Sequence, residues 1–269
     1  TTLFRSIVYM LGIGGIGMSS LARYFAHQGH YVAGYDRTSS AITQQLQAEG
    51  IAVHFSEALA DAPDFLFTEP DHTLVVYTPA ITTAHPVLAY VTSHNYPLRK
   101  RSAVLGELSG IYDTIAVGGA HGKTSTSAFI AHVLRTAGIP FYGFLGGIST
   151  NYQTNFLAPR QNQEAALMLT EADEYDRSFL ELQPTVTVLT STDADHLDIY
   201  RTASALYEAY QQFTAKTRSG GRLIHPLGFD VPSLAKDVQT QCFQLEEGDG
   251  HATNLRIADH QYHFDLNVN

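Results

Sequence analysis

The sequence predicts an α/β protein: an N-terminal Rossmann-like parallel-sheet domain followed by a P-loop-type α/β domain. Three observations predict it. Apolar strands alternate with amphipathic helices through the first part of the chain. A glycine loop, Gly12-Ile13-Gly14-Gly15-Ile16-Gly17, joins the first strand to the first helix. A second loop, Gly118-Gly119-Ala120-His121-Gly122-Lys123-Thr124, again stands between a strand and a helix. Strand, loop and helix with short connections mean a parallel sheet with helices on its faces.

The elements follow in order. Ser6–Leu11 is an apolar run that breaks into glycines, and Met18–Gln28 then has helical spacing with Gly29 as its left-handed stop. Tyr31–Tyr35 is a second strand closed by Asp36, and Ser39–Glu49 is a helix with a Ser N-cap, ended by Gly50. Leu74–Tyr77 is another strand, after which Pro79 forces a turn. The pattern restarts near Asp113: Thr114–Val117 is a strand, Ser125–Thr136 a helix stopped by Gly138, Leu167–Thr170 and Val186–Thr190 are strands, and Ala203–Ala215 is a helix. From about Leu223 the signals are weak and mixed. The expected division is 1–111 and 112–269, one α/β domain around each loop.

A chain of 269 residues with 44% hydrophobic and 16% charged side chains can bury two cores. Its net charge of −10 argues against a nucleic-acid surface, which needs Lys and Arg to neutralise phosphates. No apolar run reaches the length of a membrane span. The one cysteine, Cys242, excludes an intrachain disulfide and a thiolate metal cage, and fits a reducing, cytoplasmic setting. The acidity gathers between Glu171 and Asp198, where Arg177 is the one Lys or Arg, as a divalent-cation site needs.

The first loop is a G-x-G-x-x-G whose glycines permit a tight turn and close approach of a diphosphate to the helix N-terminus. Asp36 ends the second strand, where a carboxylate reaches a ribose hydroxyl. The pattern does not choose between NAD and a uridine diphosphate. The second loop lacks the first glycine of a strict Walker A, since Val117 stands there, but keeps G-x-x-G-K-T. Backbone N–H groups there cradle a triphosphate, Lys123 neutralises its oxygens and the Thr124 hydroxyl can ligate Mg²⁺. Glu171-Ala172-Asp173-Glu174-Tyr175-Asp176 follows a strand, with Glu171 nearest the strand end and the best metal candidate. In Asp193-Ala194-Asp195-His196-Leu197-Asp198, His196 is a metal ligand, a phosphate-orienting group or a plain surface residue.

Taken together, LGIGGIGMS, GGAHGKTSTS, EADEYDRSFLELQP and DADHLDIY resemble the Mur ligase family over about Ile7 to Thr217. The resemblance implies ATP-dependent amide formation in peptidoglycan synthesis, with UDP-N-acetylmuramate, L-alanine, ATP and Mg²⁺ as reactants and cofactor. A tripeptide in place of L-alanine is the close alternative; a nicotinamide dehydrogenase or a non-catalytic nucleotide-binding module are the distant ones. The implied UDP-sugar contacts are Gly12, Gly14, Gly15, Ile16, Gly17 and Asp36, with Gly146 and Gly147 toward the muramoyl part. Gly119, Ala120, His121, Gly122, Lys123, Thr124 and Ser125 fall on the ATP loop. Lys123, Glu171 and His196 take catalytic roles, and Thr124, Glu171 and His196 the metal. Ala120, Leu145 and Ser191 depart from the family's usual Thr, Asn and Asn. The family's C-terminal domain is not matched, so the chain is expected to be a piece, inactive by itself.

Overall fold

The computed structural model describes residues 6–160, 163–193, 197–258 and 261–268. The chain forms two compact units, the first of 1–107 with 139–165 and the second of 108–138 with 166–269. In chain order the elements are β1 (Ile7–Leu11), α1 (Ile16–His27), β2 (Tyr31–Tyr35), α2 (Ala41–Ala48), β3 (Ala52–His54), α3 (Phe65–Thr68), β4 (Thr73–Tyr77), α4 (Pro86–Ser93), β5 (Leu98–Lys100), α5 (Arg101–Ile111), β6 (Asp113–Gly118) and α6 (Lys123–Thr136). There follow β7 (Phe141–Ser149), β8 (Thr154–Leu157), β9 (Leu167–Glu171), β10 (Val186–Leu189), α7 (Leu197–Tyr200), α8 (Ala203–Thr214), β11 (Arg222–Pro226), β12 (Gln239–Phe243), β13 (Gly250–Ala258) and β14 (Gln261–Val268).

The first unit holds a wholly parallel sheet in the order β3-β2-β1-β4-β5. Its central strands are buried on both faces, which is why they read as continuous apolar runs rather than as alternation. Tyr9, Leu11, Tyr35 and Val75 pack with Val87 and Val91 of α4 into one core. The strand order reverses between β1 and β4, and an open α/β sheet binds ligands at the carboxyl ends of such strands. The loops after β1, β2 and β4 gather at that end.

Helix α1 is enclosed nearly all round, because the antiparallel hairpin β7–β8 covers the side turned away from the sheet. Tyr24 meets Tyr142, Phe144 and Phe156 of the hairpin at ring-centroid distances of 5.2, 5.6 and 6.3 Å. Burial of a whole helix strands its polar side chains, and these find partners. Arg23 grips Glu49 through Nε and Nη2 at 2.7 and 3.1 Å and also donates to Asn155 Oδ1. Asn155, in turn, donates to the Ile16 carbonyl at 2.6 Å and to Ser19 Oγ at 2.9 Å. The hairpin bearing Gly146 and Gly147 is thereby bolted to the helix that opens at the glycine loop.

The N-cap of α2 is Ser40, one residue later than the sequence suggests. Its hydroxyl accepts from the Thr43 N–H at 3.2 Å while the Ser40 N–H donates to Thr43 Oγ1 at 2.8 Å, a reciprocal pair that Ser39 cannot make. Ser40→Ala is expected to lower stability by about 1 kcal/mol in urea unfolding.

In the second unit the strands stand in the order β14-β13-β12-β11-β10-β6-β9. Strand β6 runs parallel between β10 and β9, and α6 follows it directly, so the second loop sits at the middle of the sheet. The weak tail resolves into β11 to β14, with β13 and β14 an antiparallel hairpin at the sheet's margin. Among the described residues no helix is long and apolar enough to cross a membrane.

Candidate functional site

The glycine loop is a turn built for the backbone, and most of its N–H groups are spent within the protein. Gly12 has φ +85°, and a Cβ there would stand 2.6 Å from the Thr78 methyl group, so no other residue fits. Gly12 and Ile13 both donate to the Tyr35 carbonyl, at 2.8 and 3.0 Å, and Gly15 donates back to Gly12. Asp36 Oδ2 accepts the Gly14 N–H at 2.7 Å. Asp36 therefore clamps the loop before it meets any ribose. Gly15 caps α1 without a side chain, so the helix offers no internal partner to the N–H groups of Ile16, Gly17 and Met18. N–H groups so placed can take an anion, and the positive end of the helix dipole would add to their pull. Arg101, which the motif analysis did not single out, lays its guanidinium against Gly17: a Cβ at Gly17 would be 2.7 Å from Nη1. A cleft of about 750 Å³ opens here, lined by Gly12, Gly14, Gly15, Asp36, Thr78 and His85 among others. Gly146 and Gly147 lie on β7, in this same unit.

The second loop is shaped by two glycines at positive φ. Gly119 has φ +125° and would bring a Cβ to 2.7 Å from the Ser191 N, while Gly122, at φ +83°, is the N-cap of α6. The strand end after β10 pins the loop: His121 N donates to Ser191 Oγ at 2.9 Å, Ala120 N to the Ser191 carbonyl at 3.2 Å, and Thr190 Oγ1 to the His121 carbonyl at 2.5 Å. Ser191, where the family usually carries Asn, thus serves the loop with a hydroxyl.

Lys123 Nζ donates to the Gly119 carbonyl at 2.7 Å and to Glu174 Oε1 at 2.8 Å. The Glu174 side chain is fully buried and that of Lys123 is 17% exposed. Glu171 lies on the other side of the helix start. Its Oε2 accepts from Thr124 Oγ1 at 3.2 Å and its Oε1 from Ser127 Oγ at 2.9 Å. The acidic motif thus divides its labour: Glu171 faces the hydroxyls, and Glu174 holds the lysine. In sequence Glu171 stands out by its place at the strand end, and nothing there distinguishes Glu174. Tyr200 supports the turn by donating to the Glu174 carbonyl at 2.6 Å, and burial pushes its hydroxyl up to about 12. Asp176 and Arg177 both sit in the left-handed region, at φ 54° and 55°, with the Arg177 guanidinium 5.5 Å from the Tyr200 ring centre. Ser125 lies in the exposed first turn of α6. His196 lies outside the described residues.

Two family models match: "Mur ligase family, catalytic domain" over residues 7–112 and "Mur ligase middle domain" over residues 117–266, the latter alone more than half of the chain. The chain belongs to the Mur ligase family. A UDP-N-acetylmuramate–L-alanine ligase of Cytophaga hutchinsonii is 46% identical over 94% of this chain and 54% of its own length. The chain thus spans about half the length of the curated relatives it matches. Among solved structures, a UDP-N-acetylmuramate:L-alanyl-γ-D-glutamyl-meso-diaminopimelate ligase of Neisseria meningitides superposes with a TM-score of 0.82 at 23% identity, covering 98% of this chain and 84% of the other. A UDP-N-acetylmuramate–alanine ligase of Thermotoga maritima superposes with 0.76 at 24% identity, over 92% of this chain and 54% of that one. At such identities the superpositions speak for the fold: this Mur ligase chain has the α/β architecture that its two loops predict.

Proposed function

We propose that the chain carries the nucleotide-sugar and ATP sites of a ligase that joins L-alanine to the carboxylate of UDP-N-acetylmuramate in peptidoglycan synthesis. In this reading 1–111 is the UDP-sugar domain, joined by the 139–165 segment that packs with it, and the rest of 112–269 is the ATP domain. The observation that carries it is the pairing at the second loop of Lys123 with Glu174 and of Thr124 and Ser127 with Glu171. The names of the relatives at 44–46% identity agree with it.

The donor set at Glu171 suits Mg²⁺: a carboxylate and a hydroxyl are hard oxygen donors, and magnesium is commonly held by one or two carboxylates together with substrate phosphates. Among the described residues no group of three or more His, Cys, Asp or Glu forms an all-protein cage. Thr124 and Glu171 would hold the ion, which when bound neutralises phosphate charge. His196 as a further ligand rests on the family resemblance.

The chemistry then falls to named groups. The sugar carboxylate attacks the γ-phosphorus of ATP, ADP leaves, and an acyl phosphate forms. Lys123 exchanges its loop carbonyls for the phosphate oxygens, on which transfer spreads charge, while Glu174 limits how far the ammonium swings. Backbone N–H groups from Gly119 to Ser125 orient the triphosphate. The amine of L-alanine attacks the acyl carbon, inorganic phosphate leaves, and the nitrogen sheds a proton to give the amide. The glycine loop, Ile16 to Met18 and Asp36 hold the uridine diphosphate so that the distant carboxylate arrives oriented, with Gly146 and Gly147 beside the muramoyl part. A cytoplasmic setting, where ATP is at hand, belongs to the same proposal.

Calorimetry tests the binding half on this chain. UDP-N-acetylmuramate and Mg·ATP are expected to bind and NADH is not. Saturable NADH binding without UDP-sugar binding would overturn the proposal in favour of a dehydrogenase-type site. In the full-length enzyme, turnover with L-alanine is expected to exceed turnover with a tripeptide.

A further inference from the structure

The turn that carries Glu174 is strained, and part of what holds it comes from outside the turn. Asp176 and Arg177 stand side by side at φ 54° and 55°, a conformation that residues other than glycine keep only where the surroundings over-determine it. Within the turn, the Asp173 carboxylate accepts from the Tyr175 N–H at 3.0 Å. The Asp173 carbonyl accepts from the Phe179 N–H at 3.0 Å and from Ser178 Oγ at 2.9 Å, and the Glu174 carbonyl from the Arg177 N–H at 3.0 Å. A further bond reaches that same Glu174 carbonyl from Tyr200, the last residue of DADHLDIY and of α7, whose hydroxyl donates to it at 2.6 Å. Tyr200 is 3% exposed, and burial keeps the proton on its hydroxyl, so it stays a donor at neutral pH.

Tyr200 is itself well anchored. Its ring stacks with the Arg177 guanidinium at 5.5 Å, and Thr202 just beyond it caps α8 by accepting from the Ala205 N–H at 3.1 Å. Helix α8 in turn sets Tyr210 and Phe213 against Phe179 at 6.0 and 5.0 Å between ring centres. From this anchor two bonds lead to the second loop: the Tyr200 hydroxyl to the Glu174 carbonyl, and Glu174 Oε1 to Lys123 Nζ at 2.8 Å. We propose that Tyr200 is a positioning residue for phosphoryl transfer: by fixing the Glu174 backbone it sets where the Lys123 ammonium stands when it meets the phosphate oxygens. A lysine is a point charge on a flexible stem and does not place itself. Once its loop carbonyls are exchanged for phosphate, Glu174 is the contact that still aims it. A buried carboxylate is a fixed point only while its own backbone is held. Without the hydroxyl, the strained turn is free to relax, and Glu174 and the ammonium move with it. The assignment rests on the ligase reading of the second loop; Tyr200 touches no substrate in it and acts through Glu174.

The test is single-turnover ADP formation by the full-length enzyme at saturating UDP-N-acetylmuramate and Mg·ATP, with thermal melting of each variant. It is run in two backgrounds, the parent and Lys123→Met. Tyr200→Phe keeps the ring and loses the donor. In the parent it is expected to slow ADP formation about tenfold, within the roughly hundredfold that a misplacement of about 1 Å can cost, and to leave the KM for ATP little changed. In Lys123→Met it should slow the residual reaction no further, because no ammonium is left to position. Tyr200→4-aminophenylalanine restores an N–H donor at the same place and should recover most of the rate. If Tyr200→Phe fails to fold, Tyr200→4-fluorophenylalanine fills the place of the hydroxyl without donating and decides in the same two backgrounds. An undiminished rate overturns the assignment and leaves the ligase reading standing. So does equal slowing in both backgrounds, which is what a loss of stability alone produces. A parent enzyme that forms no ADP overturns the ligase reading, and the assignment with it.

Discussion

Replacing Lys123 by Met is expected to reduce phosphoryl transfer in the full-length enzyme by about 10²–10³-fold, the scale on which one preorganised charge donor stabilises a transition state. It should also destabilise the second unit, because the fully buried carboxylate of Glu174 loses its ammonium. Removing one partner of a buried ion pair costs about 3–5 kcal/mol. The two effects separate in a double-mutant cycle. Lys123→Met with Glu174→Gln should regain much of the lost stability, since a neutral amide is cheaper to bury, and none of the turnover. Single-turnover release of ADP checks the first effect and urea unfolding the second. Undiminished ADP release in Lys123→Met would refute the catalytic role; an unchanged unfolding midpoint would refute the structural one.

The second large effect is expected from Arg23→Met in the first unit. Arg23 is 7% exposed and holds three acceptor oxygens, two on Glu49 and one on Asn155. Methionine fills much of the volume but leaves the Asn155 amide and the Glu49 carboxylate without their donor. A loss of about 1–3 kcal/mol is expected from the buried Asn155 oxygen left without its donor, together with weaker binding of UDP-N-acetylmuramate, because Asn155 ties the hairpin of Gly146 and Gly147 to α1. Glu49→Gln should cost at least as much, since it leaves the guanidinium of Arg23, 6% exposed, without its counter-charge, whereas the Glu49 carboxylate is 35% exposed and reaches water. Denaturant unfolding and calorimetry read both quantities, and a loss under about 1 kcal/mol would show that the network does not carry the hairpin.

What the sequence disclosed, and what it withheld, follows from the range of the interactions. Strand, glycine and helix lie within a few residues of one another, so β1, β2, β4, β6 and both loops were legible to within a residue or two. The Ser39–Ser40 ambiguity arose because either hydroxyl can cap by local rules, and only the reciprocal bond with Thr43 chooses Ser40. Strands β3 and β5, three residues each, are too short to show a period. In β14 the alternation of Tyr262, Phe264, Leu266 and Val268 was present, but all four remain exposed, so burial gave the pattern no support. The site divides in the same way. Lys123 and Thr124 announce themselves by their loop. Glu174 meets Lys123 across 51 positions and Asn155 meets Arg23 across 132, separations at which one sequence carries no pairing signal. His196 was named on its motif and lies outside the described residues.

The place of the β7–β8 hairpin in the first unit has a consequence for synthesis on the ribosome. The chain leaves that unit at residue 107, contributes 108–138 to the other, and returns for 139–165. Until Phe156 has emerged, Tyr24 lacks its aromatic cover and Arg23 its Asn155. At about 5–20 residues per second, that interval of roughly fifty residues lasts some seconds. Throughout it the nascent helix α1 presents an apolar flank and a buried-type arginine to water. The first unit to begin folding is therefore not free to finish first, and a cut near residue 111 would leave it permanently in that half-covered condition.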